Sequence, residues 1–144
     1  GKKEMHAAIR TSLEVIPENK PRYLMGVGSI EEMIEAIADG IDCFDSAFPT
    51  RTGRHGRAFS SKGNVSIEAA KHRFDLSPLD ERCSCFVCEN HTRAYVHHLV
   101  KTKEENGMKY LSYHNLHFVH QLLAVIREKI AENDFKKEKI LKEL

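Results

Sequence analysis

Cys83, Cys85 and Cys88 fall within six residues of one another, and this one run restricts the chain more than any other stretch. Thiolates that close together are metal ligands. Zinc takes four soft or borderline donors in a tetrahedron, and Cys-x-Cys-x-x-Cys supplies three of them from one tight knuckle without ordering much extra chain. Disulfides compete poorly. Cys43 sits in the apolar run Ile41, Cys43, Phe44 and reads as a small core hydrophobe, which leaves an odd set of three to pair. No signal peptide precedes the cluster, so the expected setting is the reducing cytoplasm. A redox or inert cluster is the alternative to structural zinc.

Spacing alone leaves the fourth ligand open. His91, His97, His98, His114 and His117 all follow the knuckle. His91 comes too soon after Cys88 to close the tetrahedron comfortably, and His97 and His98 fall in Arg93–Lys103, which reads as helix. His114 is expected to open a further helix, a position from which a side chain can point back at a preceding knuckle. It is favoured over the others on that ground.

The chain has 144 residues, 41% of them hydrophobic, enough for one modest domain with a real core. Its 22 Lys and Arg nearly cancel its 21 Asp and Glu, so a nucleic-acid contact would have to come from a local patch. Its longest apolar run is far too short to cross a bilayer, so a soluble protein is expected. No internal repeat or low-complexity linker is evident, and Asp134 to Leu144 reads as a solvated helical end.

The first half alternates helix and strand. Met5, Ala8, Ile9, Leu13 and Ile16 recur at three- and four-residue steps and stop at Pro17, which predicts an amphipathic helix with its breaker. Arg22 to Val27 reads as a short buried strand. Ser29 with Glu32 forms a capping pair ahead of Met33, Ile34 and Ile37, so a helix follows and Gly40 ends it. Ile41 to Phe44 is the next buried strand. This order is that of a parallel α/β sheet or barrel, in which chemistry collects at the carboxyl ends of the strands.

Asp45 stands at such an end, just before Ser46-Ala47-Phe48-Pro49. A turn or helix-cap aspartate is the commoner fate of a single Asp. The next stretch raises the catalytic reading. From Ser46 to Ile67 there is no acidic residue, while Arg51, Arg54, Arg57 and Lys62 are interleaved with Gly53, Gly56, Gly63, Thr50, Thr52, Ser60 and Ser61. Read as a loop, it can bring guanidinium groups and backbone N–H donors to phosphates; the alternative is a solvated basic loop.

Several ordered motifs carry a resemblance. Arg22-Tyr-Leu-Met-Gly-Val-Gly28, Phe44-Asp45, Pro49-Thr-Arg-Thr-Gly-Arg54, Ser77-Pro-Leu-Asp80, the Cys83/Cys85/Cys88 knuckle, Arg93-Ala-Tyr95 with His97-His98-Leu99, and His114-Asn115 together resemble the tRNA-guanine transglycosylase family, also called queuine tRNA-ribosyltransferase. The match runs in order from about Lys20 to Ile130, and its Pro-Thr-Arg stretch and knuckle are those of the bacterial and eukaryotic branch.

The resemblance implies an α/β fold, the C-terminal part of a (β/α)8 TIM barrel with a zinc-binding subdomain. Residues 1–70 would carry late barrel units with the nucleophile strand and RNA-binding loop, and residues 71–144 the zinc-binding subdomain and C-terminal helices. It implies a pentosyltransferase that exchanges guanine at the anticodon wobble position of tRNA for a 7-deazaguanine base, queuine or its precursor. Asp45 would be the nucleophile, with Cys83, Cys85, Cys88 and His114 holding structural Zn2+. Thr50, Arg51, Thr52, Gly53 and Arg54 would hold the wobble-region RNA. Gly26, Val27, Gly28, Ser29, Ile30, Glu31 and Glu32 would form another RNA-facing rim. A homodimer or heterodimer is implied.

A whole barrel takes about 250 residues, so the chain is expected to be the C-terminal portion of a larger enzyme whose upstream part carries a second catalytic aspartate. Two other readings are a zinc-stabilised tRNA-binding module and a non-catalytic subunit. Asp45 argues against the latter.

Overall fold

A computed structural model describes residues 1–143. Their contacts divide the chain into two compact units, Gly1–Phe48 and Pro49–Leu144.

In the first unit, α1 (Lys2–Leu13) turns its apolar stripe inward. Ile9 is buried, and Met5 and Leu13 pack with it against Ala36 and Ile41. The helix ends at Leu13 and not beside Pro17; Val15 is 82% exposed and Ile16 lies in the following turn. After β1 (Tyr23–Met25), helix α2 (Ile30–Asp39) starts at the expected cap. Ser29 Oγ accepts from the Glu32 N–H and donates to Glu32 Oε2 at 2.6 Å. It stops at Gly40, whose φ of 109° is left-handed and suits only glycine well.

Strand β2 (Cys43–Asp45) then pairs parallel with β1, Leu24 opposite Phe44. Both strands were expected to be buried, but only Leu24 and Phe44 turn to the helices and pack there. Alternate residues point to opposite faces of a strand, and here helices cover one face. Tyr23, Met25, Cys43 and Asp45 therefore lie on the open side. Cys43 is exposed, so its reading as a core residue is corrected.

The second unit begins at the second residue of α3 (Phe48–Arg54), followed by the antiparallel pair β3 (Arg57–Ala58) and β4 (Val65–Ser66) and a 3₁₀ turn at Ala70–His72. Helices α4 (Phe86–Asn90), α5 (Arg93–Lys101), α6 (Glu105–Ala131) and α7 (Ile140–Glu143) complete it. The stretch expected as one basic loop thus carries a helix. Pro49 lies in the first turn of α3, where no N–H is required, and the Phe48 N–H donates to Ser46 Oγ at 3.1 Å.

Helix α6 has 27 residues, roughly 40 Å of rigid rod. Its buried positions, Leu111, His114, Asn115, Phe118, Leu122 and Ile126, recur at helical spacing. His114 sits well inside it and does not open a helix. Two glycines permit close packing at its N-terminal half. A Cβ at Gly53 would lie 2.7 Å from the Ser112 nitrogen, and one at Gly107 would lie 3.0 Å from that of Val100. Ala58, Ile67, Leu79, Val87, Val96 and Leu111 form the core around the cysteines. Ile140 in α7 is 1% exposed, so the tail is anchored rather than wholly solvated; Leu144 lies outside the described residues. Among those residues no helix is long and apolar enough to cross a membrane.

Candidate functional site

Local hydrogen bonds shape the cysteine knuckle. Asp80, buried, accepts from the Arg82 N–H at 2.9 Å and from Ser61 Oγ at 3.2 Å, and its carbonyl accepts from the Cys83 N–H. Cys85 is the N-cap of α4, its sulfur accepting from the Cys88 N–H at 3.4 Å. This folds the chain tightly enough to aim all three sulfurs at one point. His114 comes to that point from α6.

Its Nδ1 lies 3.7 Å from Cys83 Sγ and 3.4 Å from the sulfurs of both Cys85 and Cys88. All four donor atoms lie within 4.8 Å of one another. Tetrahedral zinc, with Zn–S of about 2.3 Å and Zn–N of about 2.0 Å, sets sulfur and nitrogen about 3.5 Å apart. The geometry therefore fits the ion. His114 Nε2 donates to the Phe59 carbonyl at 2.8 Å, which fixes the tautomer and leaves the Nδ1 lone pair for the metal. Four protein donors close the coordination, the pattern of a structural site.

The cluster's electrostatics call for a cation. Contacts with Cys83 and Cys88 hold the Cys85 thiol far below its usual range, while contacts with Cys83 and Cys85 push Cys88 far above it. Burial opposes a charge on the His114 ring, but the sulfurs of Cys83 and Cys85 outweigh it and raise the ring to about 10. Sulfurs this close can all ionise only around a positive ion.

The other histidines are accounted for elsewhere. His97 Nδ1 is 2.7 Å from the Ile67 carbonyl, and His91 stacks on Tyr110 at 4.8 Å between ring centroids. Neither His98 nor His117 belongs to the cluster.

Asn115 was quoted in a motif but given no role by the sequence. It is fully buried, accepts from the Phe59 N–H at 2.8 Å, and donates to the carbonyls of Pro49 and Arg57 at 3.0 Å each. His114 and Asn115 thus grip Phe59 by its carbonyl and its N–H, and Asn115 extends the grip to α3 and β3. A polar residue beside a metal ligand in an otherwise apolar helical stripe was the available signal.

Arg51 and Arg54 are exposed on α3, while Thr50 and Thr52 are half-buried and Gly53 is buried. The Thr50 carbonyl accepts from Ser112 Oγ at 3.3 Å.

In the first unit, Asp45 ends β2 with its side chain exposed, Oδ1 3.3 Å from the Gly26 nitrogen. A hydrogen bond to Asp45 raises the Tyr23 hydroxyl above its ordinary value. Gly28 meets Ser46 so closely that a Cβ would lie 2.5 Å from that of Ser46, which joins the segment after β1 to the segment after β2. Within residues 26–32, Gly26 and Glu31 are exposed, Val27, Gly28 and Ile30 are buried, and Ser29 and Glu32 are occupied by the cap of α2.

The model of the family described as Queuine tRNA-ribosyltransferase matches residues 1–141. Proteins bearing that name are similar to the chain. That of Halothermothrix orenii is 45% identical over 132 residues, 92% of this chain and 35% of the relative. That of Enterococcus faecalis is 44% identical, again over 92% of this chain and 35% of the relative. That of Neisseria meningitidis is 43% identical, over 93% of this chain and 36% of the relative. The chain thus spans about a third of the length of these curated relatives. With a family model matched along nearly its whole length and a cysteine-histidine cluster built for zinc, the chain belongs to the queuine tRNA-ribosyltransferase family.

Proposed function

We propose that this chain works within a tRNA-guanine transglycosylase, as the C-terminal part of a (β/α)8 barrel, with Asp45 as the nucleophile. What supports the reading is the position of Asp45: an exposed carboxylate at the carboxyl end of a strand in a parallel pair, where barrel enzymes keep their chemistry.

The ribose C1′ of the wobble nucleotide develops oxocarbenium character as its bond to guanine N9 stretches, and a facing carboxylate stabilises that charge. An Asp45 oxygen bonds to C1′ as the C1′–N9 bond breaks. The bonding pair leaves with guanine, which takes up a proton. A 7-deazaguanine base, queuine or its precursor, then attacks C1′ through its ring nitrogen and gives up a proton as the ester to Asp45 breaks. Proton transfers fall to a second carboxylate outside this chain. Zinc, bound by Cys83, Cys85, Cys88 and His114, supplies rigidity to the second unit.

Arg51 and Arg54 contact phosphates near the anticodon, with Gly26 and Glu31 at another rim. Val27 and Ile30 support that rim from below rather than touch RNA, because their side chains are buried. A homodimer or heterodimer in the cytoplasm is the expected setting of the whole enzyme.

Trapping tests the reading. Zinc-loaded protein of the relatives' full length, incubated with tRNA and denatured, should retain a covalent RNA adduct that Asp45→Asn abolishes. A second reading, a tRNA-binding module without catalysis, draws on the arginines of α3 lying in the same compact unit as the metal centre. It predicts binding with no adduct from either protein.

A further inference from the structure

We propose that a cavity beside the 3₁₀ turn at Ala70–His72 binds a backbone phosphodiester of RNA, a second phosphate site separate from the arginines of α3. The inference rests on the reading of the chain as a tRNA-binding protein. It uses the Ser77-Pro-Leu-Asp80 and Arg93-Ala-Tyr95 regions, which the proposed chemistry leaves without a task.

The cavity holds about 430 Å³ and is bordered by Ser60, Lys62, Asn64, Lys71, His72 and Arg93, with no carboxylate among its lining residues. Its lysines and its arginine are only partly neutralised from behind. Lys62 pairs with Glu81 at 2.7 Å. His72 Nδ1 and Arg93 Nη1 share the single carboxylate of Asp75, at 3.1 and 3.2 Å. Ser77 Oγ donates to that carboxylate at 2.5 Å and holds it well below the usual carboxylate range, so it stays a fixed anchor. Lys71 is exposed and has no ion-pair partner among the described residues.

Two nitrogens on residues that line this cavity have no partner among the described residues. His72 is 3% exposed and its Nε2 has no partner; Arg93 Nε is likewise buried and unpartnered. Buried polar atoms are nearly always hydrogen-bonded. Two that are not, on residues lining one cation-rich hollow, point to an acceptor that the described residues do not supply. A phosphate offers such acceptors in the charge state the site favours, and guanidinium and ammonium groups beside hydroxyls and backbone amides are how proteins seat one. Nucleic acid is the fitting source in a member of this family.

The test uses zinc-loaded protein of the relatives' full length, with an anticodon-arm RNA, and reads Kd against salt. Lys71→Ala lies on the surface and leaves the fold alone. It should weaken binding several-fold and lower the salt slope by about one, since one phosphate contact releases about one counterion. His72→Gln, with folding checked by its melting curve, should weaken binding in the same direction. An unchanged slope in Lys71→Ala overturns the inference. So does inorganic phosphate that shifts the His72 ring resonances while Lys71→Ala leaves RNA affinity intact, since the hollow is then a free-anion site. Arg51→Ala with Arg54→Ala separates the two proposals. If that pair lowers the slope and Lys71→Ala does not, only the cavity fails; if Lys71→Ala lowers it and the pair does not, the arginines fail and the cavity stands.

Discussion

Two of the zinc donors are held by a second contact, and those contacts set what single substitutions do. Cys85 caps α4, and His114 is fixed by Phe59. Structural zinc in small sites contributes about 10–16 kcal/mol, comparable to or larger than the usual stability of a whole domain, about 5–15 kcal/mol. Chelation or Cys85→Ser should therefore unfold the second unit, read as lost helix signal with zinc falling well below one per chain. Retained zinc and an unchanged melting curve in Cys85→Ser would count against the site.

Protons compete with the metal here. Contacts among the sulfurs raise Cys88, and the same sulfurs raise the His114 ring, and zinc takes the place of protons on its ligands. Affinity for zinc should rise with pH through neutrality, the slope of its logarithm counting the protons released. Competition titrations with a chromogenic chelator at pH 6 and pH 8 check the sign and the slope.

Asn115 is a structural counterpart to these ligands. Asn115→Ala removes three buried hydrogen bonds, to the Phe59 N–H and to the Pro49 and Arg57 carbonyls, a loss of about 3 kcal/mol. The variant should melt markedly lower yet still bind one zinc.

Elements were legible where their signals were local. Ser29 with Glu32 and Gly40 fixed the ends of α2, and the cysteine knuckle declared three ligands within six residues. The fourth was ambiguous because a histidine reaching back from a long helix leaves no mark in spacing. Residue type in the sequence also misplaced the start of α6, expected at His114 but lying at Glu105, with Gly107 there for the close approach of α5. The same reasoning hid α3, since Pro49 and Gly53 look like loop residues until Pro49 lies in a first turn and Gly53 presses on α6. Cys43 was misjudged because an apolar run says nothing about which face of a strand the helices cover. Gly53→Ala tests the helix contact. Its Cβ would meet backbone that cannot swing aside, so overpacking should cost about 2 kcal/mol, read by denaturant unfolding of the zinc-loaded protein.

For the whole molecule, ordered motifs gave the family before any coordinate, and the family match along residues 1–141 agrees. The barrel is a different matter. The described residues contain one parallel pair of strands, which is mixed α/β structure and leaves the barrel a proposal. Near-neutral total charge means that the proposed tRNA affinity has to come from patches. Arg51→Ala with Arg54→Ala should reduce affinity and lower the salt slope by up to about two, because fewer counterions are released; filter binding across a salt series reads it.

The account turns on a covalent bond between Asp45 and ribose. Full-length zinc-loaded protein would be incubated with tRNA, digested with protease and nuclease, and its peptides sequenced by mass spectrometry. The prediction is a peptide containing Asp45 with a ribose-linked nucleotide on its carboxylate, absent in Asp45→Asn while tRNA binding and zinc content are kept. A nucleotide mapped to another residue, or base exchange that persists in Asp45→Asn, would contradict it.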